Sequence, residues 1–241
     1  IIGLAREAGA VGLGEFKWTP DQAKKKVTNH LDVVGDELPL KVSVKDSKLC
    51  PRYQAVVIDG VKVGPSPWWL QKRLLQAGHR SFNNIVDITN YILHEYGQPM
   101  HTFDYHKLEG GEIVIRAAKK GEKIKALDEE TYKLSESNLV IADVKRPVAV
   151  AGVMGGQETG TTEKTTTIVF ECASFEPVQV RRTARDLNLY SDSQLLFEKG
   201  LSTEATEPAL MRAIQLTLDI AGGRVASIVF DERDENYKAL K

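Results

Sequence analysis

The sequence has 241 residues, of which 42% are hydrophobic and 27% charged, values typical of a globular protein. No apolar run approaches the roughly 20 residues of a membrane span and no signal peptide opens the chain, so we predict a cytoplasmic protein with no membrane partner. The net charge is −1, whereas a domain that binds nucleic acid alone usually carries a basic surplus. Any RNA partner must therefore be held largely by something else.

The first 45 residues have the character of a lead-in segment. The chain opens on Ile1 instead of Met, which indicates a piece of a longer protein. Thr19 followed by Pro20 is typical of a helix start, so we predict a solvated helix from Pro20 to about His30. The main domain is predicted to begin near Cys50. Cys50 and Cys172 match neither a metal-ligand spacing nor a disulfide framework, so we expect two free, buried thiols.

The main domain is predicted to contain short strands between helices. Predicted helices cover 68–77, 84–96, about 177–187 and about 204–221, with Trp69, Leu70 and Leu74 in the core and a loop at 98–101. Predicted strands cover 53–58, 113–115, 123–127, 131–134, 139–141, 148–150, 167–171 and 225–230. This order indicates an α+β fold of mixed sheets of short strands bracketed by helices, and not a regular βαβ array.

Two polar residues can carry chemistry. Glu171 closes an apolar strand, and a buried carboxylate needs hydrogen-bond donors, which are either protein groups or a ligand hydroxyl. His101 lies in the predicted loop, where a histidine acts as a base, a donor or an anion ligand, or is simply bonded to the backbone. The sequence leaves these alternatives open.

Three other features have a structural and a functional interpretation. The turn from Gly152 to Gly156 makes a tight bend or admits a ligand to the backbone, and it lacks a phosphate-loop pattern. Ser191-Asp192-Ser193 lacks a nucleophile elbow, so a helix cap or a turn is predicted. Arg181, Arg182 and Arg185 form a solvated helix face or contact phosphate.

Six short segments occur in the order and at the spacing of one known domain. They are Ile85–Tyr91, Gly97–Asp104, Ala151–Gly156, Phe170–Ala173, Arg182–Arg185 and Phe197–Gly200. Together they resemble the editing domain in the β subunit of bacterial phenylalanyl-tRNA synthetase, over roughly residues 50–230. Ile2–Glu7 resembles the segment that follows the inserted tRNA-binding domain of that subunit. The resemblance implies the editing-domain fold, with a lead-in at 1–45 and the editing domain at 46–235.

The resemblance implies a ligase-subunit fragment that hydrolyses tyrosine wrongly esterified to phenylalanine tRNA, by direct attack of water on the ester. Glu171 is expected to accept a hydrogen bond from the tyrosine hydroxyl. The other implied substrate-binding residues are Asn90, Thr89, Gly152, Ser191 and Ser193, and the implied catalytic residues are His101, Arg80 and Gly155. Backbone N–H groups of the glycine turn are expected to stabilise the oxyanion.

The resemblance also implies partners. These are the acceptor end of phenylalanine tRNA, the synthetase α subunit and the remaining β-subunit domains of a heterotetramer. No metal or cofactor is expected in this domain, and ATP and magnesium are expected only at the synthetic site elsewhere in the enzyme. The alternative is a non-catalytic structural or tRNA-docking module of the same synthetase, but the presence of Glu171, His101 and Asn90 favours activity.

Overall fold

The computed structural model describes residues 1–19, 33, 35 and 37–237. The helix predicted from Pro20 to about His30 lies outside the described residues. The described helices are α1 (Ile2–Ala10), α2 (Trp68–Gln76), α3 (Asn84–Tyr96), α4 (Pro177–Leu187), α5 (Asp192–Phe197) and α6 (Thr206–Ile220). Within the described part of the chain, none of the helices has the length and apolar content required to cross a lipid bilayer.

The strands form two larger sheets and a separate hairpin. In chain order they are β1 (Lys41–Val44), β2 (Arg52–Asp59), β3 (Met100–Asp104), β4 (Glu112–Ala117), β5 (Lys123–Lys125), β6 (Thr131–Lys133), β7 (Leu139–Ala142), β8 (Pro147–Val150), β9 (Met154–Gly155), β10 (Thr167–Ser174), β11 (Arg224–Val225) and β12 (Phe230–Arg233). Sheet A has the order β1-β4-β7-β8-β9, and sheet B has the order β11-β2-β10-β3 with β12 also paired to β2. β5 and β6 pair with each other. The predicted α+β class of mixed sheets and helices is confirmed.

The elements form three layers, which are separated by two hydrophobic cores. One core lies between the facing sides of sheets A and B and includes Ile115, Val140 and Val169. The other lies between the opposite side of sheet B and helices α2, α3 and α6, and includes Phe170 and Ile214. Sheet B is therefore the middle layer, covered on both faces.

Strand β10 is central within sheet B, because β2 and β3 pair with it on either side. Its eight residues are all buried. Successive side chains of a strand point to opposite faces, so Val169, Glu171 and Ala173 face sheet A while Phe170 and Cys172 face the helices. Burial of both faces explains why the sequence has a continuous apolar run instead of an alternating pattern.

Helix α3 follows its predicted bounds because both of its ends are specified locally. The Asn83 side chain accepts hydrogen bonds from the Ile85 and Val86 N–H groups, which caps the first turn. Gly97 ends the helix in the left-handed conformation at φ 74°. This helix carries Asn90 to the surface that faces the candidate site.

Several predictions are confirmed and several are wrong. Cys50 and Cys172 are free and buried, as predicted. Trp69 is 39% exposed because α2 buries the side that carries Leu70 and Leu74 and leaves Trp69 at its edge against Tyr91, so its assignment to the core is wrong. The predicted strand at 225–230 is divided into β11 and β12, which pair with different parts of β2.

Two corrections concern residues of the site. Glu171 does not close its strand, because β10 pairs with β3 as far as Cys172 and with β2 as far as Ser174. His101 does not lie in a loop, because pairing with β10 makes Met100–Asp104 a strand. The sequence patterns did not predict the short elements α1, β1, β9 and α5. The last of these begins at Asp192, within the Ser191–Ser193 segment that was predicted to be a cap or a turn.

Candidate active site

Glu171 and His101 lie directly opposite each other on neighbouring strands. The antiparallel register of β10 and β3 pairs their Cα atoms, so both side chains stand on the face of sheet B that looks toward sheet A. Glu171 is only 6% exposed. Strand pairing thus brings together two residues that are 70 positions apart in the sequence.

Neither side chain is fully satisfied by the protein. The Glu171 Oε2 and His101 Nε2 atoms are buried and have no hydrogen-bond partner among the described residues. Burial raises the pKa of the Glu171 carboxyl to about 8, because the charged form would lose its hydration. Burial lowers the pKa of the His101 imidazole to about 4. At neutral pH the pair is therefore an uncharged acid beside an uncharged imidazole, each with an unused hydrogen-bonding atom.

An inner cavity of about 60 Å³ lies between the sheets at this pair. Besides Glu171 and His101, its lining comprises Pro99, Met100, Ile141, Ala149, Val150, Gly152, Val153, Met154, Gly155, Phe175, Ser193 and Phe197. Apart from Glu171, His101 and Ser193, this lining is apolar or glycine. A small apolar space with a carboxyl group is suited to an aromatic side chain that carries one polar group.

An outer cleft of about 480 Å³ adjoins the inner cavity. Met100, His101, Val153, Met154, Gly155 and Ser193 line both spaces. The outer cleft is additionally lined by Val86, Thr89, Asn90, Thr102, Leu127, Asp128, Gly160, Thr161 and Ser191. The arrangement is a wide, more polar entrance that adjoins a narrow apolar space beside Glu171.

Two glycines keep the inner cavity open. A Cβ atom at Gly155 would lie 2.3 Å from Cε1 of His101, so any side chain there would displace the imidazole. Gly152 has φ +69°, and a Cβ atom there would lie 2.9 Å from Cγ2 of Val180. Both positions require glycine. At Gly155 the His101 ring approaches the backbone too closely for a side chain, and at Gly152 the positive φ and the nearby Val180 both disfavour one.

Helix α5 is fixed to the glycine turn by Ser191. The Ser191 hydroxyl accepts a hydrogen bond from the Gln194 N–H at 3.1 Å and donates one to the Val153 carbonyl at 2.6 Å. The predicted cap is therefore confirmed, and this hydroxyl is occupied by the protein. Ser193 and Phe197 on the same helix line the inner cavity.

Helix α3 supplies the opposite wall of the outer cleft. The Thr89 hydroxyl donates to the Val86 carbonyl at 2.7 Å, so it is satisfied within its own helix. The Asn90 side chain lines the cleft and forms no hydrogen bond with the described residues. Asn90 is therefore the amide available to a ligand in the entrance.

The remaining basic candidates lie outside both spaces. Arg80 is exposed, with its guanidinium carbon 4.4 Å from the ring centroid of Phe82, and it lines neither the inner cavity nor the outer cleft. Arg181, Arg182 and Arg185 lie on the exposed face of α4. Eight of the nine predicted site residues thus line the connected spaces, and Arg80 does not.

The aromatic end of the inner cavity was missed by the sequence analysis. Phe175 follows β10 and Phe197 ends α5, and their rings pack edge to face with centroids 5.2 Å apart. Tyr53, diagonal to Glu171 across β2 and β10, is fully buried, and its hydroxyl also lacks a hydrogen-bond partner within the described residues. In the sequence, Phe175 lies just after the segment Phe170–Ala173 and Phe197 begins the segment Phe197–Gly200. This proximity could have suggested a place in the site, but buried aromatic residues are equally common in ordinary cores.

Among the described residues, no group of three or more His, Cys, Asp or Glu side chains has an arrangement that could hold a metal ion. The described residues thus offer a ligand an unpartnered carboxyl atom of Glu171 at the apolar cavity, and the His101 imidazole and Asn90 amide at the cleft.

Comparison with known proteins defines the class. The B3/4 domain family matches residues 49–222, and the chain belongs to this family. The solved N-terminal fragment of the phenylalanyl-tRNA synthetase β-subunit from Pyrococcus horikoshii has the same fold, with a TM-score of 0.51 at 14% identity over 84% of this chain and 57% of that chain.

The individual relatives are phenylalanine–tRNA ligase beta subunits. That of Carboxydothermus hydrogenoformans is 44% identical over 225 residues, or 93% of this chain and 27% of the relative. That of Dehalococcoides mccartyi is 42% identical over 251 residues, or 100% of this chain and 29% of the relative. The chain spans less than a third of the length of these relatives. The resemblance to the β subunit is therefore confirmed.

Proposed function

We propose that this chain carries the post-transfer editing site of a phenylalanine–tRNA ligase β subunit, which hydrolyses tyrosine wrongly esterified to phenylalanine tRNA. The observation that carries the proposal is the buried Glu171 Oε2 atom, which has no hydrogen-bond partner in the described part of the chain and belongs to a residue that lines an apolar cavity. A buried polar atom without a partner is costly, so a site that contains one is suited to a ligand that supplies it.

Selection follows from the single hydroxyl by which tyrosine differs from phenylalanine. A tyrosine ring in the inner cavity would pair its hydroxyl with Glu171, whereas a phenylalanine ring would leave that carboxyl unpaired. Sites that pair a buried polar group with a substrate hydroxyl reject the analogue lacking it by about 10⁴–10⁵-fold. Phe175 and Phe197 supply the apolar surface that both rings would use, so they contribute affinity without discrimination.

Hydrolysis requires a placed water and stabilisation of the tetrahedral oxyanion. Because the pKa of His101 is about 4, its imidazole is a weak base, and we assign it the role of orienting the water or a hydroxyl of the terminal adenosine. The Val153 and Gly156 N–H groups already donate to main-chain carbonyls. We therefore assign oxyanion stabilisation to the Asn90 amide instead of to those two groups.

The partners follow from the same proposal. The substrate is the acceptor end of phenylalanine tRNA, and the α subunit and the other β-subunit domains complete the cytoplasmic enzyme. This domain uses no cofactor in the proposed reaction, in which water is the only co-reactant, and ATP and magnesium act at the synthetic site elsewhere. Arg80 lies outside the cleft, so a contact with the terminal adenosine would involve RNA that extends beyond the cleft edge.

The test is release of tyrosine from mischarged phenylalanine tRNA, compared with release of phenylalanine from the cognate ester. The wild-type chain is expected to release tyrosine selectively. Glu171→Met has a side chain of similar size that cannot bond the tyrosine hydroxyl. Its ratio of tyrosine to phenylalanine release is expected to fall by at least about 100-fold, which is only part of the discrimination that such a contact can provide. Glu136→Met, which changes an exposed carboxylate outside both spaces, is the matched control.

Two outcomes would contradict the proposal. One is unchanged selectivity in a folded Glu171→Met variant, which would show that the carboxyl does not read the hydroxyl. The other is no release by this chain or by the full-length synthetase that contains it, which would favour the non-catalytic docking module.

A further inference from the structure

The β5–β6 hairpin presents lysine side chains on one exposed face. Its register pairs Lys123 with Lys133 and Lys125 with Thr131, so these residues share a face while Ile124 is buried on the other. Two further exposed lysines lie in the preceding loop. We define the lysine face as Lys119, Lys120, Lys123, Lys125 and Lys133.

No ion pair within the described residues neutralises these lysines, although Lys119 lies close enough to the Glu122 carboxyl to help lower its pKa. Like charges directly opposite each other on paired strands are destabilising, yet Lys123 and Lys133 are cross-strand neighbours. None of the five lysines forms an ion pair with a described residue.

The acidic residues nearest in the sequence have other partners or lie at the turn. Glu122 is bound by Arg116 at 2.8 Å, and Glu158 is paired with Arg146. Asp128 at the hairpin turn accepts a hydrogen bond from the Tyr132 hydroxyl. These exposed lysines are therefore available to an external anion, which would also relieve the repulsion between Lys123 and Lys133.

The lysine face adjoins the outer cleft through a shared wall. The Leu127 N–H donates to the Gly155 carbonyl, and the Gln157 N–H donates to the Lys125 carbonyl. Within that wall, Gly155 and Gly160 line the outer cleft. Gly156, Glu158 and Thr159 line a separate groove of about 170 Å³, together with Lys123, Lys125 and Arg146.

We propose that the lysine face binds the phosphate backbone of the RNA whose aminoacylated 3′ end enters the outer cleft. This inference rests on the proposed function, because that function places an RNA end in the adjoining cleft. A polynucleotide leaving the cleft across the Gly155–Gly160 wall meets the lysines within one or two strand spacings, each about 4.8 Å. Lysine contacts to phosphates position an RNA without reading its sequence, which suits a site that recognises the amino acid.

The test measures binding without turnover, using an uncharged RNA minihelix with a single-stranded 3′ end and the 241-residue chain. The test variant carries three substitutions on the lysine face, Lys123→Ala, Lys125→Ala and Lys133→Ala. The control variant carries Lys41→Ala, Lys45→Ala and Lys48→Ala. The control removes the same charge from exposed lysines on or just after β1, the edge strand of sheet A opposite β9. We expect the first variant to reduce the slope of log affinity against log salt by about 2–3, and the control to leave it unchanged.

A second substrate separates this inference from the proposed function. Tyrosine esterified to adenosine alone reaches the site without an RNA backbone, so its hydrolysis is expected to be equal in the wild type and in both lysine variants. If that ester is hydrolysed neither by this chain nor by the full-length synthetase, the proposed function fails, whereas the minihelix result decides whether the lysine face binds an RNA backbone. The inference is overturned if the wild type does not bind the minihelix at low salt, if both variants lose affinity equally, or if polyglutamate of matched charge competes as well as RNA.

Discussion

Glu171 combines deep burial with a carboxyl group that no described cation neutralises, and this combination has a measurable consequence for stability. The folded chain retains the Glu171 proton up to a pKa of about 8, whereas the unfolded chain releases it near 4.5. Between these values the folded state binds more protons than the unfolded state, so this residue lowers the free energy of unfolding as pH rises. His101 contributes the opposite slope, but only between about pH 4 and its ordinary value of 6.5.

We therefore predict that Glu171→Gln removes a loss of stability between about pH 6.5 and 8. Over that range the wild type is expected to lose up to about 2 kcal/mol relative to the variant, at 1.36 kcal/mol per pH unit of unequal protonation. The measurement is urea unfolding of both proteins at several pH values, and the quantity compared is the difference in the free energy of unfolding. A pH-independent difference would mean that Glu171 is ionised in the fold.

The sequence indicated Glu171 and His101 as candidate site residues, but it did not indicate that they lie opposite each other. A carboxylate in an apolar run marked Glu171, and the resemblance marked His101. Their juxtaposition depends on the register of β10 against β3, which is a long-range pairing that no local pattern specifies. For the same reason His101 was predicted in a loop, because an edge strand that follows Gly97 and Pro99 has a weak local signal.

Among the elements, α5 illustrates how a short helix can depend on one side chain. With six residues it is too short to be stable by itself, so its Ser191 cap and its packing must hold it in place. The bond from Ser191 to the Val153 carbonyl also ties the helix to the turn that contains Gly152. The cap thus positions both a helix and a turn that line the inner cavity.

Ser191→Ala is predicted to lower the free energy of unfolding by about 1–2 kcal/mol and to slow tyrosine release. The variant loses a cap and leaves the Val153 carbonyl without its hydroxyl donor. Urea unfolding and tyrosine release measure the two effects. Ser202→Ala removes a comparable cap, bonded to the Glu204 N–H, outside both spaces, and it should affect stability alone. Full tyrosine release by a destabilised Ser191→Ala protein would show that the cap does not position the site.

Elements with strong local signals were predicted well and short ones were not. Helix α3 has a cap, helical spacing of Ile85, Ile88 and Ile92, and a terminal glycine, so its bounds follow from the sequence. β1, with four residues, and α5 are shorter than the window over which periodicity can be recognised. Their existence depends on partners elsewhere in the chain, since β1 pairs in parallel with β4.

At the scale of the whole molecule, the site exists because two sheets approach each other closely at one point. Gly155 belongs to sheet A and His101 to sheet B. The missing Cβ atom at Gly155 sets how near the sheets come, because even a methyl group would overlap the imidazole. The predicted fold class was correct, but this layering could not be predicted, since it follows from sheet order and not from local propensity.

Gly155→Ala is predicted to displace His101 and to slow tyrosine release by about 100-fold, the cost typical of misplacing a reacting group by about 1 Å. Tyrosine release under single-turnover conditions is the measurement. Gly64→Ala is the matched control, because a Cβ atom at Gly64 meets no atom within 4 Å. Wild-type rates in Gly155→Ala would show that the position of the imidazole is not critical.

Strand β10 also determines how this domain can change over evolutionary time. Its alternate residues belong to different layers, with Glu171 beside the cavity and Phe170 and Cys172 against the helices. Under the proposed function, selection on substrate choice acts at position 171, whereas selection on folding acts at positions 170 and 172. Residues of the helical layer could then be exchanged while that preference is retained, and a new preference could arise at position 171 without rebuilding the layer.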